Sequence, residues 1–377
     1  MRRIKVLGCL LVVGLGAALP ADVPSDRMAV CREYVADKWN KLCKLMGKAA
    51  DLRDELPNLP RSAWFFRDQV SQQGEIDDLL DDAREILLSK SSQDMLKQVQ
   101  KLDENIREIK SDIAEVNKEM VLHPDRRRKC EEKLTGLTIR RNELRRNLQN
   151  LKREVLAELR SWGITVPDSA LEPFFASVTR NSIIDNAVIA GNIAAIVKNL
   201  EDMMRVDEDN ARRYYGMYMV LLDLQIRCYR DFIAKCDGVW CLKLDGIINK
   251  IQYDHLIAND GAADARFTVA QRDQYKRNLR TNETFLRAAR AYRENLERQR
   301  NAVAAKMQET ERMREVALNT YETLGNAALL RDMMHTSAEA FEAVMKLELP
   351  DLAAFNDAEI VAEFDGITER LLAEDSK

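Results

Sequence analysis

Two runs of apolar residues at heptad spacing constrain this chain more than any other feature. Met95, Val99, Leu102, Ile106, Ile109, Ile113, Val116 and Met120 follow one another at intervals of 4, 3, 4, 3, 4, 3 and 4. That period places all eight on one stripe of a helix, the a and d positions of a coiled coil. The pattern stops at His123-Pro124-Asp125. It resumes with the same intervals as Cys130, Leu134, Leu137, Arg141, Leu144, Leu148, Leu151 and Val155. One position of this second seam, Arg141, is polar. Proline suits the first turn of a helix, where its missing N–H removes no intrahelical bond, so Pro124 reads as a helix start. Two long helices joined by so short a connection lie antiparallel. The expected unit is an antiparallel coiled-coil hairpin over 75–162 with its turn at 123–125, each arm extending about 50 Å.

Charge points the same way. Residues 75–119 carry 13 acidic and 7 basic side chains, and residues 126–153 carry 3 acidic and 11 basic. Flanking charges of opposite sign select the partner arm. Each exposed pair adds only about 0–1 kcal/mol, so the apolar seam has to supply the stability.

The rest of the chain reads as helix too. Its 14 glycines and 8 prolines are too few for a sandwich or barrel, which needs a turn every few residues. Hydrophobic residues make up 46% and the net charge is −4, a balance that excludes extended disorder. We therefore expect an all-α protein, an elongated bundle of long helices around the hairpin. The N-terminal helices fill 22–74. One spans 26–55 and is stopped by Leu56-Pro57-Asn58-Leu59-Pro60. A short one spans 61–72 with Trp64, Phe65 and Phe66, and Gly74 marks a break. Trp162 to Pro167 ends the second arm. The C-terminal bundle covers 163–377. It opens with the apolar stretch 181–207 and continues with helices at 211–236 and 239–258, parted at Asp237-Gly238. Asn259-Asp260-Gly261 is a turn signal. One very long helix, or two nearly collinear ones, lies within 262–349, and a terminal amphipathic helix covers 351–372.

The N-terminus carries an address. Arg2, Arg3 and Lys5 precede the apolar run Val6 to Leu19, and Leu19-Pro20-Ala21 offers a small-residue cleavage site. This is the pattern of a signal peptide over 1–21; the run is too short for a comfortable membrane span, which takes about 20 residues. The expected location is the periplasm or the extracellular space, with retention as an anchor the competing reading. Six cysteines remain after residue 21. An even count in an exported chain allows disulfides, although their connectivity is not readable. Cys31 and Cys43 within one helix stand about 18 Å apart, beyond bridging range. Cys236 and Cys241 flank Asp237-Gly238, so a local bridge forms if the helix ends there. Buried free thiols are the alternative.

Catalytic signatures do not emerge. The chain lacks a glycine-rich phosphate loop, a G-x-S-x-G elbow and an H-E-x-x-H motif. Cys228, Cys236, Cys241 and His255 lack the paired spacing of a structural zinc site. The acidic run from Glu75 to Asp82 lacks the glycine and terminal glutamate of a calcium loop. We expect neither enzymatic activity nor a cofactor or metal. The candidate binding residues are those of the hairpin tip: His123, Pro124, Arg126, Arg127, Arg128 and Lys129. Positive charge at a helix start opposes the helix dipole, which gives this cluster a reason to be something other than a solvated helix end. The expected function is an exported scaffold, adaptor or binding module acting on protein partners through coiled-coil surfaces. Peripheral contact with a membrane or an anionic saccharide and self-association fit the same features; nucleic acid does not. The alternative is a membrane-active or pore-forming helical protein using the apolar segment 183–197.

Overall fold

The computed structural model describes residues 25–62, 67–88, 90–161, 164–167, 171–323, 329–336, 347–348 and 358–373. The expected signal peptide and Trp64 to Phe66 lie outside this set. The protein is all-α. Helix α1 (Ser25–Glu55) ends in a 3-10 turn at Leu56–Asn58, and α2 is Gln69–Leu87. Helices α3 (Lys90–Leu122) and α4 (Arg127–Ser161) are joined by the 3-10 turn Pro124–Arg126 and pack along each other. There follow α5 (Leu171–Ala176), α6 (Arg180–Val206), α7 (Ala211–Lys235), α8 (Cys241–Ala263), α9 (Val269–Thr323), α10 (329–336) and α11 (Ala358–Ala373). Among the described residues the sole strand pairing is a short parallel bridge of Ile164–Thr165 with Leu347–Glu348.

The break expected at Gly74 does not form. Asp68 starts α2 instead. Its carboxylate accepts from the Ser71 N–H at 2.8 Å while its own N–H donates to Ser71 Oγ at 3.1 Å, a reciprocal cap that satisfies two otherwise orphaned donors. The helix then runs straight through Gly74, and the first hairpin arm begins at Lys90 rather than at residue 75. This shift overturns the charge argument. The acidic run belongs to α2 and is used within the bundle. Arg227 holds Asp77 at 3.1 Å and Asp81 at 2.8 Å, and Glu75 holds Lys48 at 2.7 Å and Arg67 at 2.6 Å. What remains in α3 is 7 acidic against 6 basic residues, facing 11 basic and 5 acidic in α4. The hairpin is a basic rod, not an acidic arm on a basic one. At the heptad-spaced positions, Val99, Ile106, Ile109, Val116, Cys130, Leu148 and Val155 are buried, and every other described one is half-buried.

A second and longer helix pair was not expected in this form. The helix end foreseen at Asp237-Gly238 is a π turn, Cys236–Trp240, in which the Cys241 N–H donates to the Cys236 carbonyl. Helices α7 and α8 therefore join into one rod from 211 to 263. The turn foreseen at Asn259-Asp260-Gly261 is also helix. Gly261 serves by its missing side chain, since a Cβ there would meet the Tyr275 ring at 2.7 Å. The chain reverses at 264–268. Asp264 accepts from the Arg266 backbone N–H at 2.9 Å, and Thr268 and Gln271 cap α9 reciprocally. Helix α9 returns for 55 residues, about 80 Å, against both α8 and α7. Its described residues run to Thr323, a further helical stretch is described at 329–336, and the described part of the terminal helix is Ala358–Ala373.

The core centres on α6, which touches α1, α2, α5 and α7. Ile189, Ile193, Ile196 and Val197 are fully buried there. Asn192 on the same helix donates to the Leu87 carbonyl at 2.7 Å, closing the end of α2. Tyr292 of α9 stacks on Phe364 of α11 at 3.8 Å and takes the Val178 N–H at 2.8 Å. One side chain thus ties α9, α11 and the α5–α6 connection together.

Candidate functional site

The tip of the first hairpin gathers the residues singled out from the sequence. His123, Pro124, Arg126, Arg127, Arg128 and Lys129 are all exposed, and so are Val121 (76%) and Leu122 (62%) just before them. The dipole conflict is relieved locally. Arg127 pairs with Glu131 at 3.0 Å and Arg128 with Glu132 at 3.3 Å along α4, while Arg126 reaches back to Glu119 on α3 at 3.4 Å. The result is a small apolar cap with a basic collar at the end of a rod. Large apolar side chains this exposed at a tip suit contact with another surface.

A second surface escaped the sequence reading. Near the turn of the second helix pair, a groove of about 870 Å³ runs between α8 and α9. Gln252, His255 and Leu256 form one wall. Arg280, Arg287 and Arg290 dominate the other, and Glu283 is the only carboxylate among the described lining residues. Along α8 at the groove stand Tyr253, Leu256 and Ile257, exposed by 65%, 60% and 47%; Leu242, exposed by 64%, lies at the far end of the same helix. The Nδ1 of His255 is buried without a hydrogen-bond partner. The arginine spacing of 7 and 3 was visible as a helical face. It had no meaning until α8 was known to run past Asn259 and lie opposite.

Two ionic clusters lie deeper. Asp223 of α7 holds Arg53 of α1 and Arg314 of α9, each at 2.6 Å, in a cleft of about 610 Å³. Four arginines and four carboxylates line that cleft, so it carries no excess charge to attract an ion. Glu201 of α6 is fully buried and faces Lys198 at 2.9 Å, Arg205, and Nδ1 of His335 on α10 at 2.9 Å. Burial alone would push its carboxyl up; the three partners outweigh burial and hold it below the usual range. Chemically both clusters act as locks between helices.

The cysteines are arranged as packing groups. Cys43, Cys130, Cys228, Cys236 and Cys241 are free thiols. The local bridge between Cys236 and Cys241 is not formed, because the chain passes through a π turn instead of ending a helix. Burial pushes the Cys228 and Cys236 thiols up to about 12 and Cys43 up to about 11, which suppresses the thiolate needed for nucleophilic or redox chemistry. Among the described residues no group of three or more His, Cys, Asp or Glu converges as a metal site. Comparison with protein-family models, curated proteins and solved structures found no match.

Proposed function

We propose that this chain is an exported, non-enzymatic scaffold or adaptor that engages other proteins through the surfaces of its helix pairs. In this reading α3 and α4 form an antiparallel coiled coil whose only polar seam residue is Arg141. The observation that carries the reading is the tip: Val121, Leu122 and His123 stand exposed at the end of a rod and beside four cations. The signal-like residues 1–21 support export, and a mature N-terminus near Asp22 in the secreted or periplasmic fraction is the corresponding check. The decisive experiment places a photo-cross-linker at Leu122 in the full chain. A discrete adduct from native envelope material, lost in Arg127→Glu/Arg128→Glu, is expected. Adducts no more specific than those from a cross-linker at the solvated position Asn150 would remove the tip as a docking point.

The membrane-active alternative has one observation in its favour. Helix α6 is long and apolar enough, by length and composition, to cross a bilayer.

A further inference from the structure

We propose that the groove between α8 and α9 is the docking site for one acidic amphipathic helix of a partner protein. The inference rests on the adaptor reading and names a second surface for it, with the chemistry of its occupant. The shape comes first. Two packed helices leave a long furrow, and the object that fills a furrow between helices is a third helix. The cations of the groove all stand on one wall: Arg280, Arg287 and Arg290 project from α9, alongside Leu286 and Glu283. On the α8 side Leu256 lines the groove, and the exposed Tyr253 and Ile257 flank it on the same helix. A bilayer would need the apolar groups deepest with cations flanking them on both sides. The one-sided arrangement suits a helix with an apolar stripe toward α8 and a carboxylate stripe toward α9. Arg280 and Arg287 lie seven residues apart, about 10.5 Å along the axis, so carboxylates two turns apart on the incoming helix meet both. His255, whose Nδ1 is buried without a hydrogen-bond partner, lines the same furrow.

The chain also contains a working precedent. Helix α11 holds four acidic residues and one arginine in 16 positions. It buries Ile360, Phe364, Ile367 and Leu371 and docks on α9 by Phe364 against Tyr292 and Arg370 over Phe285. An acidic amphipathic helix thus already packs on the basic N-terminal half of α9. Arg287 is two residues from Phe285, about 200° round the helix, so the groove offers a different face of α9 for a second helix of the same kind.

The test uses the whole chain and a labelled synthetic helix of roughly three heptads, with Leu at a and d and Glu at e and g. Fluorescence anisotropy should show binding that weakens at least about tenfold in Arg280→Glu/Arg287→Glu, an effect of reversing rim charges. The same peptide with Lys in place of Glu should prefer the reversed variant. Leu256→Ser should weaken the acidic peptide without moving either charge. These positions are exposed, and an unchanged thermal melt confirms the fold of each variant. Equal affinity for the Glu and Lys peptides overturns the proposal. So does binding of phosphatidylglycerol vesicles through the same arginines with no peptide binding. A peptide that fails to bind while cross-linking at Leu122 persists removes this site and leaves the adaptor reading in place.

Discussion

Asp223 stands between two guanidinium groups that belong to different helices. Arg53 is only 13% exposed at its side chain. Burial pushes its guanidinium below the ordinary value, with Asp223 the main opposing influence and Arg314 adding to the depression. Asp223→Asn leaves Arg53 and Arg314 facing each other without the carboxylate that joins them. The expected cost is about 3 kcal/mol, that of breaking a buried pair, read from urea unfolding; a loss well under about 1 kcal/mol would show that water already screens the site. Glu201 makes a different prediction because its charge is pH-dependent. Its folded carboxyl titrates below the ordinary value of about 4.3, through Lys198, Arg205 and His335 acting against burial. A depressed folded value contributes stability above the unfolded value and loses it as pH falls through the folded one. The difference in melting temperature between wild type and Glu201→Gln should be steady near neutral pH and close below about pH 4. A gap that stays constant down to pH 3 would mean that the cluster does not hold this carboxylate ionised.

Among the elements, glycine shows most clearly why parts of the fold were illegible. A glycine in sequence signals either conformational freedom or the absence of a side chain, and the two cannot be told apart without the neighbour. Gly261 is the second kind. Gly261→Ala drives a Cβ into the Tyr275 ring and should cost about 1–3 kcal/mol as overpacking. Gly246, on the same helix, has open space around it, so Gly246→Ala should stabilise by about 0.5–1 kcal/mol through helix propensity and the unfolded chain. Opposite shifts in the thermal melt are the expected result; two losses would mean that α8 is strained at Gly246 as well. The inward positions of α3 and α4 were legible for the contrary reason. Spacing alone identifies them, and every one described is buried or half-buried. Arg141 is the exception within the pattern, with its Nε buried and without a partner. Arg141→Leu removes that orphan and extends the apolar seam, which should raise stability by about 1 kcal/mol. A lowered melting point would instead show that its guanidinium is paired in solution. The acidic run was misassigned because charge has no period. It belongs to α2, which ends at Leu87 where Leu88 turns extended, before α3 begins at Lys90. The α8–α9 groove had no single-segment signature, since its two walls are separated by a reversal that sequence had placed several residues too early.

For the molecule as a whole, the question is whether α6 can leave the bundle. The alternative reading needs its apolar face in lipid, yet that face is the core. Ile189, Ile193, Ile196 and Val197 have no exposed surface, and on the same helix Asn192 is held to Leu87 and Glu201 to Lys198, Arg205 and His335. Burial also raises the Asp185 carboxyl, with Arg84 and Lys235 opposing. Extracting α6 exposes the surfaces of α1, α2, α5 and α7 together, so its opening free energy approaches that of global unfolding, on the order of 5–15 kcal/mol. Insertion would further place Asp185 and Glu201 in hydrocarbon, a cost of about 2.5–3.5 kcal/mol for a charge at the bilayer centre. Helix surfaces outside the core, at the first tip and in the α8–α9 groove, can act with no such opening. Amide hydrogen exchange over 183–197 should therefore be the slowest in the protein. It should stay unchanged when phosphatidylglycerol vesicles are added at neutral pH, with no release of vesicle contents. Faster exchange in α6 together with leakage would reverse the order of the two readings, because the segment would then leave a core that the native contacts hold closed.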